Sequence, residues 1–187
     1  MPPPRLGEIM SSAAPQVVNN VNAPEIAKFV ETIRKDPNQA KKHKVVKGRW
    51  SFEPGSPQFN VELEYPKGKV RLATELPAFA GGWGSSPDPI QYCLQGLAAC
   101  FAVTFAATAA SEGIALKSLE VTAENWMDLR KQMGVSKDNI IERVKFTVKC
   151  EGPAPSTLER LVKLTEERCP GTECVTRSIP LSVEIAT

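Results

Sequence analysis

Residues 89–111 read PIQYCLQGLAACFAVTFAATAAS, a stretch without a charged residue and with Cys100 at its middle. The run is apolar on nearly every side of a helical wheel, so it must be buried, in the protein or in a bilayer. About 20 residues span a bilayer, so length alone permits a membrane helix. The composition argues otherwise. Gln91, Gln95, Thr104, Thr108 and Ser111 and many alanines lower its hydrophobicity, and no Lys/Arg cluster flanks it. The better reading is a central helix of a soluble protein, with Cys100 in its interior. Cys169, followed at once by Pro170, is the natural candidate for a partner thiol.

The 187 residues suffice for one large domain, or a domain with an appendage, with a core that needs no staples. Hydrophobic residues make up 42% and charged residues 24%, an ordinary soluble composition. The formal net charge of +2 arises from closely mixed signs. That pattern offers no electrostatic footprint for nucleic acid or an anionic membrane, and neither is expected as a partner. The segment MPPPRLGEIMSSAAPQVV has no continuous apolar run of the kind a secretory signal needs. The cysteine count of 5 is odd in a chain of this size, which points away from a secreted disulfide scaffold and toward reactive thiols in the cytoplasm.

Working outward from the central helix, Pro89 suits its first turn and Gly113 its end. On the N-terminal side, 1–21 reads as a loose arm. A short helix follows, capped by Asn22 with Glu25 three residues on. Ile26, Phe29, Val30 and Ile33 form its apolar stripe, and Pro37 stops it. Residues 44–52, 59–65 and 70–76 read as an antiparallel meander joined by EPGSP and YPKGK turns. FAGGWGSSPDP is the loop into the central helix. On the C-terminal side, 118–129 and 143–150 alternate as strands, the second pointing Cys150 into the core. Ser156 and Glu159 suggest a capping box for a helix ending at Cys169, stopped by Pro170 and Gly171. Leu181, Val183 and Ile185 alternate in a last strand. The fold class is α+β.

Cys93 and Cys100 share a helical face but stand about 10.5 Å apart along the axis. A disulfide needs Cα atoms within about 7 Å, so the two cannot bond to each other. Gly96 and Ala99 leave room beside Cys100. A buried thiol is inert unless a cation or hydrogen-bond donors hold its thiolate. The lone histidine, His43, lies in a solvated KKHK connector, which leaves Arg or Lys as the activating group. Cys169, read at a helix C-terminus, gains nothing from the helix dipole there and suits a resolving role. A Cys169–Cys174 bridge across CPGTEC competes with pairing to Cys100. The C-x6-C spacing of Cys93 and Cys100 lies outside the close cysteine pairs of structural zinc sites, so no metal is expected.

SSPDPIQYCLQGLAACF and, further on, LVKLTEERCPGTECVTRSIPLSVEI together resemble the OsmC/Ohr family of thiol-dependent hydroperoxide reductases. The shared mark is a proline-led helix with an Ala-Ala-Cys segment, a Cys-Pro after a second long helix, and a final strand. The resemblance covers 44–187, with 1–43 as an N-terminal arm and helical extension. It implies antiparallel sheets wrapped around long central helices in an intertwined homodimer, with active sites at the subunit interface. It implies that Cys100 is the peroxidatic thiol and Cys169 the resolving one, with no cofactor. Their disulfide would then be reduced by a dithiol of lipoyl or thioredoxin type. The implied activity is reduction of organic hydroperoxides in the oxidative stress response. The chain departs from the family at one point. Peroxidase members carry a Glu after the helix-leading proline, paired with an Arg from an early strand. Here Ile90 stands in that place, and Arg49 is the candidate for the Arg. The alternative is a member without peroxidase activity, a redox sensor or a binder of small apolar ligands at the dimer interface.

Overall fold

A computed structural model describes residues 17–186. They fall into two compact units, one of Asn38–Gln95 and one of the residues up to Pro37 together with those from Gly96 onward. The second unit opens with a hairpin, β1 (Val17–Val18) and β2 (Val21–Asn22), where the sequence suggests a loose arm. Asn19 and Asn20 turn it with positive φ, which asparagine tolerates better than most residues. The Asn19 side chain also anchors it, donating to Ile114 O at 2.9 Å and accepting from Leu116 N–H at 2.8 Å. Helix α1 (Ala23–Lys35) follows, with Asn22 accepting from Glu25 N–H as the capping pattern predicts.

In the unit Asn38–Gln95, β3 (Gly48–Trp50), β4 (Phe59–Tyr65) and β5 (Gly68–Thr74) form the expected antiparallel meander in the order β3-β4-β5. Val61 pairs with Leu72 and Leu63 with Val70, which sets one apolar row. Glu62 and Lys69 form an exposed ion pair at 3.0 Å. The loop after β5 leads into α2 (Pro89–Ser111), whose limits match those read from the sequence. Asp88 caps it, accepting from Ile90 N–H at 2.7 Å and Gln91 N–H at 3.0 Å, while Gln91 Oε1 accepts from Asp88 N–H.

From Gly96 onward, α2 packs its C-terminal half on the hairpin of β6 (Ser118–Met127) and β7 (Ile141–Glu151) and on α3 (Pro155–Arg168). Phe101, Phe105, Ala109, Leu161 and Cys169 are the buried cluster, ringed by half-buried Leu119, Val121, Phe146, Val148, Leu158 and Val162. Phe101 meets Phe146 at a 5.1 Å centroid distance. Each buried aromatic of this kind contributes about 1.5–3 kcal/mol. Cys150 joins the ring as the alternation predicts, and burial pushes its thiol pKa up. Thr104 and Ser111 tuck their hydroxyls onto the carbonyls of Cys100 and Ala107, each at 2.8 Å, which lets an apolar environment accept them.

Four expectations are corrected. α2 has the length and composition to cross a membrane, yet only its C-terminal half is buried in the chain, and Val103 remains 67% exposed. The described residues of one copy leave the rest of it uncovered. α3 is capped by Ala154 with Pro155 at its first turn, so Ser156 lies inside the helix and makes no cap. α3 ends at Cys169 as expected, but Pro170 and Gly171 open a further helix, α4 (Pro170–Thr176), where the sequence suggests only a stop. Leu181, Val183 and Ile185 alternate in sequence but form no ladder, because no described strand of the same chain lies alongside.

Candidate redox site

α2 and the junction of α3 with α4 bring two thiols together. Cys100 lies on α2, one residue before the buried Phe101, and is half-buried. Cys169 is both the C-cap of α3 and the N-cap of α4, and is 2% exposed. Their sulfurs share a hydrogen bond at 3.6 Å across a sequence separation of 69 residues. Both are free thiols. Gly171 makes the approach possible. A Cβ there would stand 3.2 Å from Cys100 Cβ, 3.4 Å from Leu97 Cδ2 and 3.5 Å from Cys100 Sγ.

The surroundings split the two pKa values. Burial pushes Cys100 up; the Gly171 N–H pulls it back, but the hydrogen bond and charge of Cys169 push it up again, and the thiol ends above its ordinary range. Burial also pushes Cys169 up. There the Thr172 N–H, the Thr172 hydroxyl, the shared bond with Cys100 and the Gly171 N–H together outweigh burial, and the thiol ends below its ordinary range. The Thr172 hydroxyl is buried and has no hydrogen-bond partner among the described residues, so it is free to turn its proton toward the Cys169 sulfur when that sulfur is charged. Sequence reading placed Cys169 at a helix end that favours cations. The donors come instead from the first residues of α4, which that reading missed; Pro170, well suited to a first helical position, was the available signal.

A second buried acid lies in the unit Asn38–Gln95. Glu75 is 2% exposed, and its carboxylate accepts from the N–H groups of Trp83 at 3.2 Å, Ser86 at 2.9 Å and Ser85, and from the Ser85 hydroxyl at 3.3 Å. Burial raises its pKa, but these donors prevail and the carboxyl ends below the usual range. Glu75 thus fixes the loop that feeds α2. Gly82 in that loop runs against the strand end, where a Cβ would come within 1.6 Å of Leu76 O. Nothing in the period-2 pattern marks Glu75 as different from a solvated strand residue.

Arg49 lies on β3 opposite Asn60, exposed, and its guanidinium has no ion-pair partner among the described residues. Ile90 is half-buried, and the neighbouring Asp88 is engaged in capping α2. Cys93 on α2 and Cys174 on α4 are exposed. Trp83, in the loop before α2, is 59% exposed, whereas Phe105 is fully buried core.

Residues 82–184 match the family model described as OsmC-like protein. The chain belongs to the OsmC-like family. Its fold is found in solved structures of OsmC-like proteins. An organic hydroperoxide resistance protein OsmC from Legionella pneumophila is 22% identical, with a TM-score of 0.55 over 73% of this chain and 92% of that one. An OsmC-like protein from Vibrio cholerae is 17% identical, with a TM-score of 0.53 over 73% and 95%. The organic hydroperoxide resistance protein OhrB of Bacillus subtilis is 19% identical, with a TM-score of 0.50 over 72% and 91%. The curated proteins compared include no match. At these identities the likeness shows the OsmC-like fold.

Proposed function

We propose that this OsmC-like protein is a cytoplasmic, cysteine-based peroxidase that reduces organic hydroperoxides through Cys100 and Cys169. The observation that carries the reading is the 3.6 Å approach of two free thiols that lie 69 residues apart in the sequence. The Cys100 thiolate attacks the distal oxygen of the O–O bond, forming an S–OH group and releasing an alkoxide that takes a proton to become the alcohol. The Cys169 thiolate then attacks that sulfur. An S–S bond forms and hydroxide leaves as water after protonation. Peroxide is reduced by two electrons and the two thiols are oxidised by two. The low pKa of Cys169 supports this second step, and its burial supports Cys100, the more accessible thiol, as the one that meets peroxide. Cys100 needs a cation to ionise at neutral pH, and Arg49 is the proposed source. A dithiol of lipoyl or thioredoxin type restores the pair by exchange. The working form is a homodimer, supported by the alternating, unladdered and exposed Leu181, Val183 and Ile185 and by the uncovered face of α2.

Ile90 favours a second reading. With no carboxylate in that place to steady an arginine, the thiol pair would serve as an oxidant sensor with slow turnover. One experiment separates the two. Reduced protein is mixed with cumene hydroperoxide or hydrogen peroxide and free thiols are counted with time. The enzyme loses two thiols rapidly with the organic peroxide and none through this route in Cys100→Ser. No loss in an hour at millimolar peroxide overturns the peroxidase.

A further inference from the structure

We infer that Cys174 is a third redox thiol, which carries the disulfide from the Cys100–Cys169 pair to the surface for reduction. The inference rests on that pair forming a disulfide. Thiol–disulfide exchange requires an attacking thiolate to reach one of the two sulfurs. Cys169 is 2% exposed and Cys100 is half-buried under Gly171 and Leu97, so a bulky dithiol meets a covered bond. Cys174 is exposed and lies on the same seven-residue helix that Cys169 caps, five residues further along.

Five residues of helix rise about 7.5 Å, beyond the about 7 Å that a disulfide allows between Cα atoms. The first turn of α4 must therefore open before Cys169 and Cys174 can bond. That turn is weakly held. α4 has no side-chain cap, and a short helix gains little from propagation. The Glu173 N–H donates to Cys169 O at 3.1 Å, and the Gly171 and Thr172 donors act on the Cys169 sulfur. Oxidation leaves that sulfur unable to carry a charge, so the donors hold it less strongly at the step where opening is needed.

The chemistry balances. The Cys174 thiolate attacks Cys169 Sγ, the Cys169–Cys174 bond forms, and Cys100 leaves as a thiolate that takes a proton from water. No net electrons move. An external dithiol then gives up two electrons to the exposed bridge and becomes a disulfide itself. Cys100 is restored before the reductant arrives.

The test uses diamide, which oxidises thiol pairs without any peroxidase activity, so its outcome is independent of the peroxide assay. The full-length protein is oxidised, quenched in acid, alkylated and mapped by peptide mass. A bridge between Cys169 and Cys174, with Cys100 alkylated, is expected in the wild type. In Cys174→Ser and Cys174→Ala only the Cys100–Cys169 bridge forms, and dihydrolipoamide reduces it about tenfold more slowly than it reduces the oxidised wild type. Equal reduction rates in wild type and both variants, or no Cys169–Cys174 bridge in the wild type, overturn the inference.

Discussion

Glu75 and Cys169 are both buried acids held by backbone N–H groups, and they differ in what else they face. Three N–H groups and a hydroxyl surround the Glu75 carboxylate, and no reactive group meets it. Two N–H groups and a hydroxyl surround the Cys169 sulfur, which also faces Cys100 at 3.6 Å. The same device, backbone donors outweighing desolvation, makes a structural lock in one unit and a poised thiol in the other. Each is closed by a pinched glycine, Gly82 in the first and Gly171 in the second.

The sharpest way to break the comparison is to remove the two acids in turn. Cys169→Ala should abolish the intramolecular disulfide entirely. Peroxide then leaves Cys100 carrying one or more oxygen atoms, seen by intact mass. Survival of a full-yield internal disulfide in that variant would show that Cys169 is not the partner. Glu75→Ala should lower the melting temperature while, in a Cys174→Ser background, the Cys100–Cys169 bridge still forms under diamide.

The glycines come next. Gly82→Ala puts a methyl group within 1.6 Å of a main-chain oxygen that cannot rotate away, so the loop must move. Its cost should exceed the about 1–3 kcal/mol usual for overpacking. Gly171→Ala meets Cys100 Cβ at 3.2 Å, a shortfall of a few tenths of an ångström, and should fall within that about 1–3 kcal/mol range. In a Cys174→Ser background it should also slow diamide-driven formation of the Cys100–Cys169 bridge. Chemical denaturation ranks the two, and the reverse order would mean that the loop after β5 yields more readily than the α2–α4 contact.

The long helix and the β6–β7 hairpin were legible because their signals are local: an uncharged run between Pro89 and Gly113, and strict alternation through Val144, Phe146 and Val148. Cys100 and Cys169 could be named as a pair from the family resemblance, but their ionisation could not. It depends on α4, a helix short enough that Pro170 and Gly171 read as a stop. The last strand was misread for the opposite reason. Leu181, Val183 and Ile185 have the correct period, but a strand exists only beside another strand, and none of the described strands pairs with this segment. Glu75 carries no sequence mark, because its partners are main-chain groups whose residue types hardly matter.

pH tests the Glu75 cradle through stability. Glu75 has a folded pKa below its unfolded one, so its contribution to stability is complete above about pH 4.3, the ordinary glutamate value, and is lost as pH falls through the lower folded value. Stability of the wild type should therefore drop in that acid range, and Glu75→Gln should flatten the drop. A wild type and Glu75→Gln with parallel acid profiles would show that the loop N–H groups do not favour the charged form.

The smallest expected effect is the most specific. Thr172→Val keeps the shape of the side chain and the Thr172 N–H but deletes the hydroxyl that serves the Cys169 sulfur. The Cys169 thiolate loses one donor, so its pKa should rise toward the ordinary thiol range, and resolution should slow at neutral pH as the thiolate fraction falls. Thiolate absorbance in the ultraviolet, followed against pH in a Cys93→Ser, Cys100→Ser, Cys150→Ser, Cys174→Ser background, isolates the one thiol. That background also lacks the bond shared with Cys100, so the Thr172→Val comparison reads the hydroxyl against the N–H groups alone. An unchanged titration would leave the backbone of Gly171 and Thr172 as the whole of the cradle, making it the same kind of device as the one around Glu75.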